Sequence, residues 1–306
     1  MDLNNGINTT QELFCHGIPA NSLVLNSKIL ITLMVLHTFI SITATIGNLL
    51  VLVTIWRSPN LHSPSNTLLF GLALSDLSVG VVSEPLHIGF QADLFSKTGK
   101  ITSCTLTKVR NLISVFLTLV TISTVTAMSV DRYLAIYLHL RYEQVVTEKR
   151  TRKVILCLWL ISSVPLFIIA FDAMTSYFVM TLMIAVCLVI ILFVWIKIYQ
   201  VVRYHQAQIQ DQMAVSLQSF NMARFRNSAI NILLVFFTIL VCYTPLLVSN
   251  TCLAANLISL NVVLLEICYI FVLLNSSLNP FLYFWRQRDL RAQTKQLVTR
   301  FCCQTQ

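Results

Sequence analysis

Seven long runs of apolar residues, separated by short polar segments, make up most of this 306-residue chain. Each run is long enough to cross the hydrocarbon core of a bilayer, which takes about 20 apolar residues in a helix. Helices are favoured because they satisfy their own backbone polar groups where no water is present. The pattern therefore predicts an all-α membrane protein with a seven-transmembrane helix bundle at residues 28–285. The predicted spans lie near residues 28–56, 65–92, 103–136, 153–172, 176–203, 227–252 and 261–285.

Composition and charge support a membrane-embedded chain and predict its orientation. Hydrophobic residues are 56% and charged residues 11% of the chain, whereas soluble domains carry about 25% charged residues. The net charge is +9, and most Lys and Arg residues fall on one side of the predicted bundle. Because Lys and Arg accumulate on cytoplasmic loops, residues 1–27 are predicted to be extracellular and residues 286–306 cytoplasmic. The charge is thus explained by topology and contact with anionic lipids, without nucleic acid, in a multi-pass protein of the plasma membrane.

The predicted extracellular side carries candidate modification sites. Residues 1–27 contain no basic-then-apolar leader, so the first span is expected to direct insertion. Asn8 begins an Asn-Thr-Thr sequon and is a predicted glycosylation site. Cys15, Cys104 and Cys252 lie on or near this oxidising side, where a disulfide is expected. Three candidates leave one cysteine unpaired, and the sequence does not choose among them.

The segment after the seventh span predicts a short amphipathic helix on the inner leaflet. Leu290, Leu297 and Phe301 recur at helical spacing among basic residues, which is typical of helices that lie in the membrane interface. Cys302 and Cys303 follow and are predicted palmitoylation sites. A soluble tail is the alternative.

Polar residues inside the spans predict a binding site for a cation. Asp76 lies in the middle of the second span, and ionisable residues within a membrane are functional hypotheses by default because they are costly to bury. The alternative is a neutral, protonated Asp76 in a structural hydrogen-bond network. The predicted sodium ligands are Asp76, Asn48, Thr121, Asn275, Ser276 and Asn279.

Prolines in the last two spans predict helix kinks. Pro245 follows Tyr243 by two residues in the sixth span, and Asn279-Pro280 lies in the seventh. A proline leaves the carbonyl one turn earlier without its donor and bends the helix. Two kinked helices beside a polar network form an element that a ligand could shift between two states.

The motifs together resemble the rhodopsin-like (class A) G-protein-coupled receptors over residues 1–303. The resemblance rests on these motifs in this order: Gly47-Asn48, Leu72-Ala73-Leu74-Ser75-Asp76-Leu77, Asp131-Arg132-Tyr133, Trp159, Tyr199, Cys242-Tyr243-Thr244-Pro245, and Asn279-Pro280 followed by Tyr283. It implies that Arg132 contacts a heterotrimeric G protein, with arrestin and receptor kinases as further partners. Tyr199 and Tyr283 would turn inward in the active state, and Asp76 would hold sodium in the inactive one.

Departures from the family pattern indicate which subgroups of receptors the chain resembles most. Ile191 replaces the usual proline of the fifth span, Tyr243 replaces the usual tryptophan of the sixth, and Thr107 stands where the third span usually has a cysteine. The missing proline, the missing cysteine and a very short loop near Asp172–Ser176 that has no cysteine together resemble the melanocortin, adenosine, cannabinoid and lysophospholipid receptors. The neighbourhood that often holds an acidic partner for Arg132 is Arg224-Phe225-Arg226 here, so only Asp131 remains nearby and basal signalling is predicted.

The expected ligand pocket excludes several ligand classes by comparison with the family. Ser114 replaces the aspartate of aminergic receptors and Leu273 the lysine of opsins, so neither an amine nor retinal is expected. Arg110 matches a basic residue of lysophospholipid receptors, and a guanidinium suits an anionic head group, although it could instead extend to the membrane interface. The hypothesis is an anionic amphipathic lipid; a nucleoside, suggested by Asn250, or a peptide is the alternative. The predicted lining is Arg110, Asn111, Ser114, Val115, Thr118, Met183, Tyr243, Leu246, Leu247, Asn250, Tyr269 and Val272.

Other classes of function remain as alternatives. An ion-conducting bundle would need further charged pore residues or duplicated halves, and a non-signalling membrane scaffold would not need the Arg132 motif. No catalytic residues, nucleophile motif or phosphate loop are found, so no enzyme activity and no cofactor besides sodium are expected. His37 and His87 are isolated in the sequence and are predicted to be polar lining residues.

Overall fold

A computed structural model describes residues 27–96, 104–138, 141–169, 173–212, 237–252 and 262–304. Within these ranges the chain is helical apart from short turns, which confirms the predicted all-α fold. The helices are α1 (Ser27–Arg57), α2 (Pro64–Ser96), α3 (Cys104–Leu138), α4 (Glu148–Ser162, continued by Val164–Ile169), α5 (Ala173–Gln212), α6 (Phe237–Cys252), α7 (Val262–Arg286) and α8 (Arg288–Gln304). A one-turn helix, Tyr142–Val145, lies between α3 and α4.

The helices match the apolar runs of the sequence. In the described part of the chain, six helices are long and apolar enough to cross a membrane, and α6 is a shorter apolar helix. The helix α4 begins at Glu148, before the predicted residue 153, because Thr147 accepts a hydrogen bond from the Arg150 backbone and caps it. The helix α5 continues to Gln212, since a polar helical extension follows the apolar run. Residues 227–236 of the predicted sixth span lie outside the described residues.

The distribution of side chains is inverted relative to a water-soluble protein. Large apolar side chains such as Phe39, Trp56 and Val189 are exposed on the outside of the bundle, whereas Asn48 and Asp76 are fully buried. Exposed apolar surface of this extent is stable in contact with lipid rather than water. The candidate functional groups are therefore the polar residues inside the bundle.

A π-helical turn interrupts α2 and turns polar residues inward. The turn covers Val79–Ser83 and is followed at once by Glu84. A π turn accommodates an extra residue and so rotates the rest of the helix, and such turns occur frequently at functional sites. Beyond it, Glu84 and His87 are fully buried in the bundle.

A proline in α7 explains a contact between α1 and α7. Pro280 has no N–H and cannot donate to the carbonyl oxygen of Ser276 one turn earlier. The side-chain Nδ2 of Asn48 donates to that oxygen instead, at 3.0 Å. The neighbouring Gly47 has no room for a side chain, because a Cβ there would lie 2.8 Å from the Pro280 ring. The Gly47-Asn48 pair is therefore the docking site for the α7 kink.

The helix α8 follows α7 directly and packs against the bundle. Leu290 and Thr294 are buried, and the hydroxyls of Thr294 and Thr54 of α1 lie 3.1 Å apart. An eighth helix after the last span was predicted from the spacing of apolar residues. Its position on the inner leaflet remains a prediction.

Candidate functional site

The Asp131 carboxylate ties three segments of the chain together at one end of the bundle. Its Oδ2 accepts a hydrogen bond from Ser65 Oγ at the start of α2, at 2.5 Å, and its Oδ1 accepts one from Tyr142 OH, at 2.6 Å. Burial of the phenol, followed by its hydrogen bond to the Asp131 carboxylate, raises the pKa of Tyr142 to about 12. The neutral phenol is thus the donor over the whole physiological range of pH.

Arg132 is not held by Asp131. Sequence reasoning left Asp131 as its nearby acidic residue, but both carboxylate oxygens of Asp131 are engaged elsewhere. Among the residues that the structure describes, Arg132 has no carboxylate partner. Its side chain lines a cavity of about 70 Å³, well below the roughly 300–1,000 Å³ of small-molecule pockets. The cavity is formed by Val125, Met128, Ser129, Arg132, Ile191, Val194, Trp195, Ile198, Ile239, Asn279, Tyr283, Arg286 and Gln287.

The three tyrosines of the predicted switch occupy different environments. Tyr283 is buried and lines the Arg132 cavity, whereas Tyr133 stacks on Tyr137 with ring centroids 5.6 Å apart. Tyr199 is 44% exposed and stacks on Trp195, outside the cavity. The structure therefore brings Tyr283 to Arg132 but leaves Tyr199 away from it, and a role for Tyr199 requires the inward turn that the family resemblance implies.

The predicted sodium ligands largely converge on Asp76. Its Oδ1 accepts hydrogen bonds from Ser276 Oγ at 2.8 Å and Thr121 Oγ1 at 3.4 Å, and its Oδ2 accepts one from Asn279 Nδ2 at 2.8 Å. The Oδ1 atom of Asn48 is buried without a hydrogen-bond partner in the described part of the chain. Carboxylate and hydroxyl oxygens are ligands of hard cations, so the Asp76 carboxylate and the Ser276 and Thr121 hydroxyls fit a sodium ion, whereas Asn279 presents its amide nitrogen.

Two further predicted groups lie near this network. Asn275 is buried, and its Nδ2 has no hydrogen-bond partner among the described residues. Its role as a sodium ligand is therefore not supported by a hydrogen bond from Nδ2 to Asp76. Tyr243 is buried in the apolar core, and Pro245 follows it in α6. The Asn279 amide both bonds to Asp76 and lines the Arg132 cavity, so it connects the two sites.

A third polar group lies beyond the π turn, and it corrects the prediction that His37 and His87 are isolated. Their rings stack with centroids 5.0 Å apart. His37 Nδ1 lies 2.6 Å from Glu84 Oε2, and His87 Nδ1 lies 3.0 Å from Glu266 Oε2. We call the group the histidine–glutamate cluster, and it consists of His37, Glu84, His87, Gln91, Arg110 and Glu266.

Arg110 differs from its predicted role as an available anion-binding group. Its guanidinium forms an ion pair with Glu266 through Nη1 and donates to Asn111 Oδ1 at 2.9 Å through Nη2. It also lies over the Phe90 ring, 3.7 Å from the centroid, a favourable cation–π arrangement. The charge of Arg110 is therefore already compensated within the bundle, and it does not extend to the membrane interface as the alternative required.

The other predicted pocket residues lie inside the bundle, and most of them are buried. Asn250 donates to Thr181 Oγ1 at 3.2 Å, and the Thr118 hydroxyl is buried without a partner in the described residues. Met183 and Leu247 are half-buried. The fully or nearly fully buried members are Arg110, Asn111, Ser114, Val115, Thr118, Tyr243, Leu246, Asn250, Tyr269 and Val272.

Sequence reasoning did not single out Glu84, Gln91 or Glu266. The rule that selected Asp76 applies to Glu84 and Glu266 as well, because both are carboxylates within predicted spans. That signal could have found the two glutamates. The sequence does not contain the information that they meet the histidines.

Several predicted modification sites lie outside the description. Asn8 and Cys15 belong to undescribed residues, as do the side chains of Cys104, Cys302 and Cys303. Cys252 is a free, half-buried thiol. Glycosylation, palmitoylation and a disulfide among the candidate cysteines remain predictions.

Comparison with known proteins indicates a receptor family. Residues 47–175 match the family model "7 transmembrane receptor (rhodopsin family)". This match supports a rhodopsin-like, class A G-protein-coupled receptor. It is 25% identical to melanocortin receptor 5 of Mus musculus over 279 residues, which cover 86% of this chain and 82% of that receptor. It is 27% identical to adenosine receptor A2b of Gallus gallus over 323 residues, covering 90% of each chain.

A shorter match reaches higher identity. The receptor is 32% identical to adenosine receptor A2a of Canis lupus familiaris over 123 residues, or 40% of this chain and 28% of that one. Melanocortin and adenosine receptors are two of the four subgroups expected from the missing proline, the missing cysteine and the short loop before the fifth span. This family consists of receptors and not enzymes, and similarity to it implies an extracellular ligand and coupling to a G protein.

Proposed function

We propose that this receptor resides in the plasma membrane with its N-terminus outside, and that an extracellular ligand acts through the histidine–glutamate cluster to open the Arg132 end to a heterotrimeric G protein. The observation that carries the proposal is the shared position of Asn279. Its amide bonds to Asp76 at 2.8 Å and lines the Arg132 cavity. A shift of α7 therefore changes the Asp76 network and the Arg132 cavity together.

The helix α7, which contains Pro280, supplies the element that moves. The Pro280 kink is held to α1 by Asn48, and Glu266 of the cluster lies on the same helix, α7. A ligand that binds one position of α7 better than another shifts the equilibrium by its difference in affinity. Arg132, which lacks a carboxylate partner in the described part of the chain, is then free to contact the G protein.

The ligand is proposed to present a hydrogen-bond donor or a positive charge to the cluster. Glu84 and Glu266 carry two carboxylates, and Arg110 compensates one of them. An anionic amphipath, the ligand class suggested by the sequence, would have to displace Glu266 from Arg110. The named relatives are receptors for melanocortins and adenosine, and the buried Asn250 amide keeps a nucleoside as the second candidate.

The coupling is tested with purified receptor in nanodiscs and a panel of heterotrimeric G proteins. We expect measurable nucleotide exchange without ligand, and its loss in Arg132→Ala. Arg152→Ala is the matched control, because Arg152 is an exposed arginine at the same end of the bundle that pairs with Glu148. Exchange that is absent on every G protein, or equal in both variants, contradicts the proposal.

The charge of the ligand is tested with Glu266→Gln and a library of lipids, nucleosides and peptides. If the active ligand is a cation or a hydrogen-bond donor, this substitution lowers its potency because the acceptor loses its charge. If the ligand is anionic, the substitution frees Arg110 and raises potency, which overturns the proposed ligand class.

A further inference from the structure

Three buried side chains place metal-ligand atoms close together. His37 from α1, His87 from α2 and Glu266 from α7 each offer one ligand atom, and these atoms lie within 4.8 Å of one another. The distance to Glu266 Oε2 is 3.8 Å from His37 Nε2 and 3.0 Å from His87 Nδ1. Zinc bonds to nitrogen and oxygen are about 2.0–2.1 Å long, so the ligand atoms of a tetrahedral site are roughly 3.4 Å apart. Two of the three separations are already close to that value.

The other nitrogen of each imidazole is held by a partner of the kind found around metal sites. His37 Nδ1 faces Glu84 Oε2 at 2.6 Å, and His87 Nε2 faces Ser114 Oγ at 3.0 Å. Metal-bound histidines donate their second N–H to a carboxylate, carbonyl or similar acceptor, which fixes the tautomer. In that tautomer the lone pairs of His37 Nε2 and His87 Nδ1 are the ones that face Glu266.

An independent observation is the set of polar atoms without partners. His37 is completely buried, and its Nε2 makes no hydrogen bond among the described residues. The same holds for Glu84 Oε1 and Gln91 Oε1. Buried acceptors without donors are costly, and a cation placed among them would supply what they lack.

Charge favours the same conclusion. With neutral imidazoles, two carboxylates face a single guanidinium, that of Arg110, in the described part of the cluster. An uncompensated buried charge is strongly unfavourable. A bound proton or a bound metal cation would each compensate it.

We propose that the histidine–glutamate cluster binds a divalent transition-metal ion, zinc being the best match, through His37, His87 and Glu266. Imidazole and carboxylate together suit zinc, whereas calcium and magnesium prefer sites made of oxygen atoms alone. The fourth position is left for water or for a group of the ligand. The rings of His37 and His87 are nearly parallel, at 11°, so they have to turn relative to each other to aim both lone pairs at the ion.

Metal at this position would regulate the receptor because the three ligands come from three helices. A bound ion would hold α1, α2 and α7 together, and α7 is the helix that moves in the proposed response to ligand. This regulatory consequence depends on the proposed function, but the binding itself does not.

The test uses the purified full chain in nanodiscs, first treated with EDTA and then dialysed against zinc chloride. We expect about one zinc ion per receptor, a raised unfolding temperature, and a zinc affinity at least tenfold lower in His37→Asn and His87→Asn. Glu84→Gln is expected to weaken binding about 10–100-fold, as loss of a carboxylate behind a ligand histidine does. The matched control is His62→Asn, since His62 is an exposed histidine next to the start of α2, at the Arg132 end of the bundle.

The outcomes separate the metal site from the signalling function. The proposed metal site is wrong if the wild type does not bind zinc, or if His37→Asn and His87→Asn bind it as tightly as the wild type. In either case a bound proton compensates the excess negative charge of the cluster. If the variants fail to fold in EDTA, the visible spectrum of wild-type receptor loaded with cobalt decides, because only tetrahedral coordination produces intense bands. Nucleotide exchange is measured separately on EDTA-treated receptor, so its failure counts against the proposed function alone.

Discussion

Replacement of Gly80 by alanine tests the packing of α1 against α2, which brings the cluster together. A Cβ at Gly80 would lie 2.6 Å from Thr45 Oγ1, 2.9 Å from Thr45 N and 3.1 Å from Ser41 O. Two of these three atoms belong to the backbone of α1 and cannot rotate away. The Ser41 hydroxyl also donates to the Gly80 carbonyl at 2.7 Å, so the two helices cannot separate without straining that bond.

The expected magnitude follows from opposing effects. Forcing an extra carbon into a packed interface costs about 1–3 kcal/mol, and weakening the hydrogen bond from Ser41 costs about 1 kcal/mol more. Alanine is the better helix former by about 0.5–1 kcal/mol. The net expectation for Gly80→Ala is a loss of roughly 1–3 kcal/mol in the free energy of unfolding.

Gly89 provides the matched control on the same helix. A Cβ there would meet only Leu106 Cδ2, at 4.0 Å, which is an ordinary contact. Gly89→Ala is therefore expected to be neutral or to stabilise by up to about 1 kcal/mol. Thermal unfolding of both variants in the same nanodiscs measures the difference. A Gly80→Ala receptor as stable as Gly89→Ala would refute the close approach of α1 and α2.

Three further expectations concern the other polar groups. Asn48→Leu removes the donor to the Ser276 carbonyl and should lower the free energy of unfolding by about 1–3 kcal/mol; unchanged thermal unfolding would mean that the carbonyl finds another donor. Asp76→Asn should abolish the stabilisation by sodium chloride relative to choline chloride, and an absent sodium effect in the wild type would favour a protonated Asp76. The pKa of Tyr142 is raised to about 12 by burial and then by Asp131, so its contribution to stability is complete below the usual pKa near 10 and is lost as pH rises through 12. The phenolate absorbance of wild type and Tyr142→Phe should therefore be equal at pH 11, and a signal from one extra phenolate in the wild type would contradict the raised pKa.

Local anomalies in the sequence predicted much of the fold and part of the site. A long apolar run predicts a span wherever it occurs, and a charged residue within or at the end of one stands out without knowledge of its neighbours. Asp76 and Arg132 were found in this way. Asn48 and Pro280 were singled out separately, but only the structure shows that Asn48 supplies the donor that Pro280 lacks.

The sequence by itself determined which segments span the membrane and at what depth each residue lies, because each helix rises regularly from its first residue. Only the tertiary structure decided which of them meet. His37 and Glu84 are 47 residues apart, and His87 and Glu266 are 179 apart, yet each pair is in contact. Helix rotation, set by the π turn of α2 and by close packing at Gly80, determines those contacts. Because an apolar run can face lipid on one side and protein on the other, its local sequence does not specify the rotation of the helix.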